Sequence, residues 1–297
     1  MIHRSKYGGA MMSKLSKSTM LLNCIVALTT KTPDFPSPLY DKGYQIEVIE
    51  PRVLLEDGSQ ANPDVQLKKN DDYLLFFECK DGFCEKEQLK RYKKMTCEDI
   101  KRTKITGLSS SNLYFDLAYF CTKSKEDKLV PSIEKDGNNF PILILNSNKI
   151  FHHKESGNFK NPQSGSILKE VTFDRPPPES FIPFTVDYSD ETITMFLLQH
   201  FMSRAGYEFT LDDLLKDLFS HLIAHYSAKS KEELKTRIGK IMTELQKQPD
   251  LGNAISHKNN KYKVEVSGPK KYRNSCIKLI NQYEESQNRI TLHDWME

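Results

Sequence analysis

Apolar positions along this chain change their period twice, and each change marks a different kind of element. From Tyr44 to Ile49 (YQIEVI) they alternate, as in a strand with one covered face. Val53-Leu54-Leu55 follows, and Asp57-Gly58 is a tight-turn pair. Val65 and Leu67 mark a short strand that ends at the polar turn Asn70-Asp71-Asp72. Tyr73 to Phe77 (YLLFF) then drops the alternation, which predicts a strand covered on both faces. This run passes directly into Glu78-Cys79-Lys80, and Asp81-Gly82 closes it. Residues 85–102 shift to a helical period, with Leu89, Tyr92, Met95 and Ile100 on the apolar side. Asn112 to Thr122 (NLYFDLAYFCT) reads as a strand, or a strand with a helical neighbour. Pro141–Ile144 and Ile150-Phe151 read as strands around an Asn146–Asn148 turn. Residues 154–180 show no period and read as loop, with Arg175-Pro176-Pro177-Pro178-Glu179-Ser180 as the best linker.

Beyond that linker the pattern is helical. Ile193, Phe196, Leu197 and Phe201 share one side of a helix over 191–203. Thr210 with Asp213, and Ser230 with Glu233, are spaced as helix caps. They precede the apolar series Leu211, Leu214, Leu215, Leu218, Leu222 and Leu234, Ile238, Ile241, Met242, Leu245. Two short stretches, 254–257 and 262–266, flank Lys258-Asn259-Asn260-Lys261, and a last helix spans about 273–285. Three helices followed by a basic-tipped hairpin is the layout of a winged helix.

At the other end, residues 1–17 read as a polar leader. A helix or strand over 18–29 follows, before Pro33, Pro36 and Pro38 break the chain. The expected organisation is a leader and N-terminal element over 1–40, an α/β domain with a mixed central sheet over 41–175, a linker over 176–190 and a mainly helical domain over 191–297. At 297 residues the chain is long enough for two such domains.

Composition narrows the class of protein. Hydrophobic residues are 38% and charged residues 28%, and the net charge is only +3, so partners must be read from local charge. Met20–Leu28 is too short to span a membrane, and it runs into Thr29-Thr30-Lys31 without a clear cleavage site. The cysteines at 24, 79, 84, 97, 121 and 276 form no CxxC pair, which fits reduced thiols and a cytoplasmic protein.

The chemistry lies at the end of the unbroken strand. Thirteen residues separate Asp64 from Glu78, enough for one strand, a turn and the next strand, so both carboxylates can reach one sheet edge. Glu78 and Lys80 are two apart and share a strand face. Phosphodiester hydrolysis needs a divalent ion on oxygen ligands, an activated water and a nearby positive charge. Asp64, Glu78 and the Cys79 carbonyl are the metal-ligand candidates, and Lys80 is placed to orient the water. Pro63-Asp64 and Glu78-Cys79-Lys80 resemble the two elements of the PD-(D/E)xK nuclease superfamily. Gln88-Leu89-Lys90-Arg91-Tyr92 on the next helix is similar to the QxxxY motif of several of its branches. The resemblance covers about residues 44–151. It implies a restriction-endonuclease-like core, Mg2+ with Mn2+ as substitute, and catalytic roles for Asp64, Glu78, Lys80, Gln88 and Tyr92. Other Glu-x-Lys triplets, at 126–128 and 233–235, lack this context. A further Glu, common upstream in the superfamily, has Glu47, Glu50 and Glu56 as candidates here.

Two basic segments fit a DNA partner. Residues 86–104 hold eight Lys or Arg against three acids, and 254–278 hold seven against Glu265 alone. The helix over 230–246 would sit in a groove, with Lys229, Lys231, Lys235, Arg237 and Lys240 available and Lys258 and Lys261 on flanking phosphates. The expected function is a metal-dependent DNA endonuclease of defence, restriction or mobile-element processing. A homodimer or partner nuclease would cut the second strand. The alternative is an inactive nuclease-like protein for DNA binding or complex assembly. His152-His153 and the pair His221 and His225 read as surface residues rather than zinc ligands. Asp116 reads as a buried bonding group or a support of the site, and Trp295 as a docking residue.

Overall fold

Strands that keep their apolar run on both faces become the middle of a sheet here, and those that alternate lie toward its edge. The computed structural model describes residues 16–31, 35–103, 111–135, 137–174, 181–202, 206–249, 251, 254–264 and 269–293, the side chains of 269–271 and 285–293 excepted. The leader over 1–15, the linker run 175–180, Lys104, Glu265, Val266, the Lys270 and Lys271 side chains and Trp295 lie outside the described residues.

In chain order the first elements are α1 (Lys17–Leu28), α2 (Pro38–Asp41), β1 (Gln45–Ile49), β2 (Val53–Leu54), β3 (Gln60–Ala61), β4 (Val65–Lys69) and β5 (Tyr73–Lys80). There follow α3 (Lys86–Lys94), α4 (Cys97–Thr103), β6 (Tyr114–Thr122), α5 (Glu126–Glu134), β7 (Ile142–Asn146), β8 (Lys149–His152), α6 (Pro162–Leu168) and β9 (Glu170–Thr172). The last are α7 (Asp190–Phe201), β10 (Glu208–Phe209), α8 (Leu211–Phe219), α9 (Ala228–Lys247), β11 (Ile255–Lys258), β12 (Lys261–Val264) and α10 (Pro269–His293). The fold is mixed α/β followed by a mainly helical region. The chain divides into two compact units, one of residues 16–185 with 215–234, the other of 1–15, 186–214 and 235–297.

The first unit holds a seven-stranded sheet of order β1-β4-β5-β6-β7-β8-β9. β1, β4 and β5 are antiparallel, β5, β6 and β7 are parallel, and β7, β8 and β9 are antiparallel again. β4 and β5 form a hairpin whose turn begins at Asn70 in the left-handed region, a conformation that asparagine tolerates. The parallel strands are the unbroken apolar runs, because each is buried on both faces. On one face, Leu74, Phe76, Tyr119, Cys121, Ile142 and Ile144 pack with Leu89 and Tyr92 of α3 and Leu129 and Ile133 of α5. The other face takes α1, which packs on β5 and β6.

Several expectations are corrected. Residues 18–29, left between helix and strand, are helical, capped by Ser16. The single helix over 85–102 is two, because Thr96 and Asp99 cap a new start: Thr96 Oγ1 donates to Asp99 Oδ2 at 2.9 Å, and Asp99 N donates to Thr96 Oγ1 at 3.2 Å. Residues 154–180 are not all loop. They hold α6 and the edge strand β9, with Asn161 accepting from Gln163 N and Ser164 N at the start of α6. Ser230 does not cap its helix. Ser227 accepts its N–H at 3.3 Å, and Glu233 pairs instead with Arg52. Thr210 does cap, giving its hydroxyl to Asp213 at 2.7 Å.

In the second unit β10, β12 and β11 form a three-stranded antiparallel sheet. The β11–β12 turn places Asn259 and Asn260 both at positive φ, the two-residue hairpin geometry that this residue type favours.

Candidate active site

Backbone pairing brings the two sequence-distant carboxylates to one edge. Asp64 stands just before β4, and its N–H donates to the Phe77 carbonyl at 3.0 Å. Val65 pairs with Phe77, so Asp64 lies across from Glu78. The Asp64 carboxylate accepts from the Cys79 N–H at 2.6 Å, which fixes its orientation against the end of β5. In extended backbone the N–H and C=O of one residue leave on the same side, so the Cys79 carbonyl faces the Asp64 side as well. The Cys79 thiol belongs to the opposite sheet face from Glu78 and is buried, with its pKa pushed well above the ordinary value by that burial and then by Asp64 and Glu78. Only its main chain serves the site.

Glu78 is 4% exposed, and both carboxylate oxygens are engaged. Gln88 Nε2 and Lys80 Nζ each reach Oε1 at 2.8 Å. Tyr92 donates its hydroxyl to Oε2 at 2.5 Å and also lies 2.9 Å from the Asn62 carbonyl. Gln88 Nε2 is 3.1 Å from the Tyr92 oxygen. Residues 88 and 92, one helical turn apart on α3, therefore hold a single carboxylate between them. The spacing of Gln88 and Tyr92 was legible in sequence. The Asn62 carbonyl and Cys84 were missed. The Cys84 thiol lies 3.5 Å from both Gln88 Oε1 and the Tyr119 hydroxyl, and its place four residues before Gln88 is the signal that could have found it.

Charge follows from these neighbours. Burial alone would lower the Lys80 pKa, but Glu78 and, behind it, Asp64 outweigh burial and raise it, so Lys80 stands as an ammonium at neutral pH. Burial first, then the negative charge of Glu78 and Asp64, raises the Tyr92 phenol well above its ordinary value, so it is a neutral donor.

The upstream glutamates divide. Glu56 is exposed in a turn, and Glu47 is half-buried on β1. Glu50 donates its N–H to the Asp64 carbonyl at 2.7 Å from a left-handed backbone of φ 53°. Its charge adds to the burial that raises the Tyr226 phenol. Among the described residues no group of three His, Cys, Asp or Glu is gathered for a metal. The oxygens that could hold an ion here are those of Asp64, Glu78 and the Cys79 carbonyl, and such a set would fit Mg2+, which keeps several waters and takes one or two carboxylates.

The remaining residues fall elsewhere. Asp116 is on the α1 face, away from Glu78, and accepts from the Tyr73 hydroxyl and the N–H groups of Lys160 and Asn161 at 2.9–3.1 Å. It ties α6 to the sheet and does not support the site. His152 bonds the Gly157 carbonyl at 2.8 Å, and His153 lies 3.6 Å from Glu126. His221 and His225 sit on a 3-10 segment, where a spacing of four no longer aligns side chains. On α3, Lys86, Lys90 and Lys93 are exposed at the i, i+4 and i+7 positions of one stripe, with Lys90 also paired to Glu87. In the second unit Arg237 pairs with Asp190 at 2.7 Å and donates to the carbonyls of Val186 and Tyr188, while Lys235 pairs with Asp212. Both are engaged within their own unit, whereas Lys258 and Lys261 are exposed at the hairpin tip.

Comparison with known proteins places the sheet-bearing unit in a family. Residues 17–182 match the model of the MJECL32 domain, nearly the span of the first segment of that unit. The chain is 30% identical over 170 residues to "Uncharacterized protein MJECL32" of Methanocaldococcus jannaschii, covering 52% of this chain and 37% of that protein. The chain thus spans well under half the length of that relative. No solved structure matches. The model covers more than half of the chain, from the helix that backs β5 to beyond β9, and the protein belongs to the MJECL32 domain family.

Proposed function

We propose that the first unit is a metal-dependent deoxyribonuclease of restriction-endonuclease-like fold that hydrolyses phosphodiester bonds within DNA. The observation that carries this is the strand register that sets Asp64 across from Glu78, with Lys80 on Glu78 at 2.8 Å. Asp64, Glu78 and the Cys79 carbonyl would hold Mg2+ or Mn2+, which supplies charge stabilisation at the phosphate and a more acidic water. The chain's own groups set the geometry. The Cys79 N–H aims Asp64, and Gln88 with Tyr92 fixes the Glu78 carboxylate. Lys80, as an ammonium, donates to the attacking water or a non-bridging phosphate oxygen and offsets the charge that builds there. Water oxygen bonds to phosphorus, the bond to the leaving sugar oxygen breaks, and that oxygen takes a proton.

The second unit supports DNA contact in this reading. Along the chain, α7, β10, α8, α9, β11 and β12 follow one another in the order expected of a winged helix, and in this reading Lys258 and Lys261 at the β11–β12 turn are its wing. A homodimer or partner nuclease would supply the second cut.

The test is incubation of plasmid and linear DNA with the full chain in Mg2+ or Mn2+, with EDTA as control. The expected result is metal-dependent cleavage that Glu78→Ala and Lys80→Ala each lower about 10²-fold or more. Cleavage unchanged in both variants, or no cleavage in either metal, overturns the proposal.

A further inference from the structure

We infer that the edge running from Phe83 along α3 is a single-strand track, with Phe83 stacking on an unpaired base beside the bond to be cut. The inference rests on the nuclease reading and names its substrate as DNA with an unpaired strand at the site. Phe83 is 69% exposed, the most exposed large hydrophobic side chain among the described residues. Single exposed apolar residues are ordinary on protein surfaces, so exposure alone argues little. Here the loop that carries the ring is held on both sides. Asp81 pairs with Lys125 at 3.3 Å and Lys17 at 3.8 Å. Cys84 is buried, and its N–H donates to Ser132 Oγ at 3.0 Å, whose hydroxyl is itself fixed on the Leu129 carbonyl of α5 at 2.7 Å. Anchored at 81 and 84, the two residues between them have little freedom to fold the ring inward.

Position gives that ring a use. Phe83 is three positions beyond Lys80, and extended chain of that length spans at most about 11 Å. An unpaired strand advances no less per nucleotide than the about 3.4 Å of a stacked duplex, so the backbone at Phe83 lies within about three nucleotides of the backbone at Lys80. Beyond Phe83 the exposed stripe of Lys86, Lys90 and Lys93 continues along α3. Lys86 and Lys93 make no ion pair among the described residues. An aromatic face beside a row of cations is how proteins take single strands: the charges follow phosphates, and the ring accepts any base, since each has a flat π-face. A paired base inside a duplex offers no such face.

The experiment is fluorescence-anisotropy titration of the full chain in EDTA, where no cleavage occurs, with a labelled oligo-dT strand and a blunt hairpin duplex. Phe83→Ala should weaken single-strand binding about 5- to 150-fold, the span of one base stacked on an aromatic ring. The hairpin should weaken less than about twofold, and Phe83→Trp should restore the single strand. Equal weakening of both probes, an unchanged single strand, or no single-strand binding by the unaltered protein overturns the inference. The two readings fail separately. Glu78-dependent cleavage with a neutral Phe83→Ala retains the nuclease and removes the track. Phe83-dependent strand binding without metal-dependent cleavage does the reverse.

Discussion

Replacing Tyr92 with phenylalanine removes one oxygen and leaves a ring of nearly the same shape, so its effect isolates the clamp on Glu78. The lost hydroxyl lies 2.5 Å from Glu78 Oε2, with both residues at least 96% buried. A hydrogen bond to a charged partner contributes about 1.5–3 kcal/mol net, and little solvent is available here to replace it. Gln88 Nε2 at 3.1 Å also loses the hydroxyl oxygen as an acceptor, which places the cost toward the upper half of that span. Tyr92→Phe should therefore lower the urea-unfolding free energy by about 2–3 kcal/mol. It should lower Tm by about 4–12 °C, at about 2–4 °C per kcal/mol for a unit of this size. The decisive quantity is the coupling. In a Glu78→Gln background the acceptor is no longer charged, so Tyr92→Phe should cost at least about 1 kcal/mol less than in the native chain. A coupling inside the additivity error of about 0.3–0.5 kcal/mol would show that the hydroxyl does not act through the Glu78 charge.

Two further outcomes probe packing away from the site. A Cβ at Gly157 would stand 2.0 Å from the Asn139 carbonyl oxygen, so Gly157→Ala must displace backbone; it should cost about 1–3 kcal/mol by urea unfolding, and an unchanged midpoint refutes the contact. Arg237→Met keeps the aliphatic stem but removes the guanidinium from Asp190 and the Val186 and Tyr188 carbonyls; it should destabilise the second unit by about 1.5–3 kcal/mol while changing duplex affinity less than about twofold, and the opposite pattern would assign Arg237 to DNA.

How much of this was legible in sequence follows from which interactions are local. The strand end Glu78-Cys79-Lys80 and the i, i+4 pair of Gln88 and Tyr92 are set by short-range periodicity, so their faces were readable. The Asp64 position follows from a hairpin signalled by Asn70-Asp71-Asp72. By contrast, β9 is three residues long and β10 two, too short to carry a period. Their pairing comes from strands that lie elsewhere in the chain. The 154–180 segment failed for a related reason. Asn161 and Ser164 hold α6 through bonds to Tyr114 and to Tyr44 and Tyr73, contacts between residues 47 to 120 apart in sequence. Thr96 with Asp99 was local and readable, yet the longer apolar series that runs through it masked the break. Arg237 shows what charge counting leaves out: the cation is legible on its helix, but its partners, 47 to 51 residues away, are not.

The Glu78 clamp also bears on why a protein would keep such an arrangement. Taking a carboxylate and an ammonium out of water costs more than their attraction returns unless other donors are present, and an apolar pair of the same volume often gives equal or better stability. Glu78 has those donors: Lys80 on one oxygen with Gln88, and Tyr92 on the other. All of them come from β5 and from the helix that follows it six residues later. A solvated pair at a strand end would need none of this, and its carboxylate would turn freely. Three donors from two elements instead leave Glu78 one orientation, while the Cys79 amide independently fixes Asp64. The Lys80 ammonium balances the Glu78 charge, and Gln88 and Tyr92 then set where its carboxylate stands, so these residues define a side-chain geometry as well as holding the strand end in place.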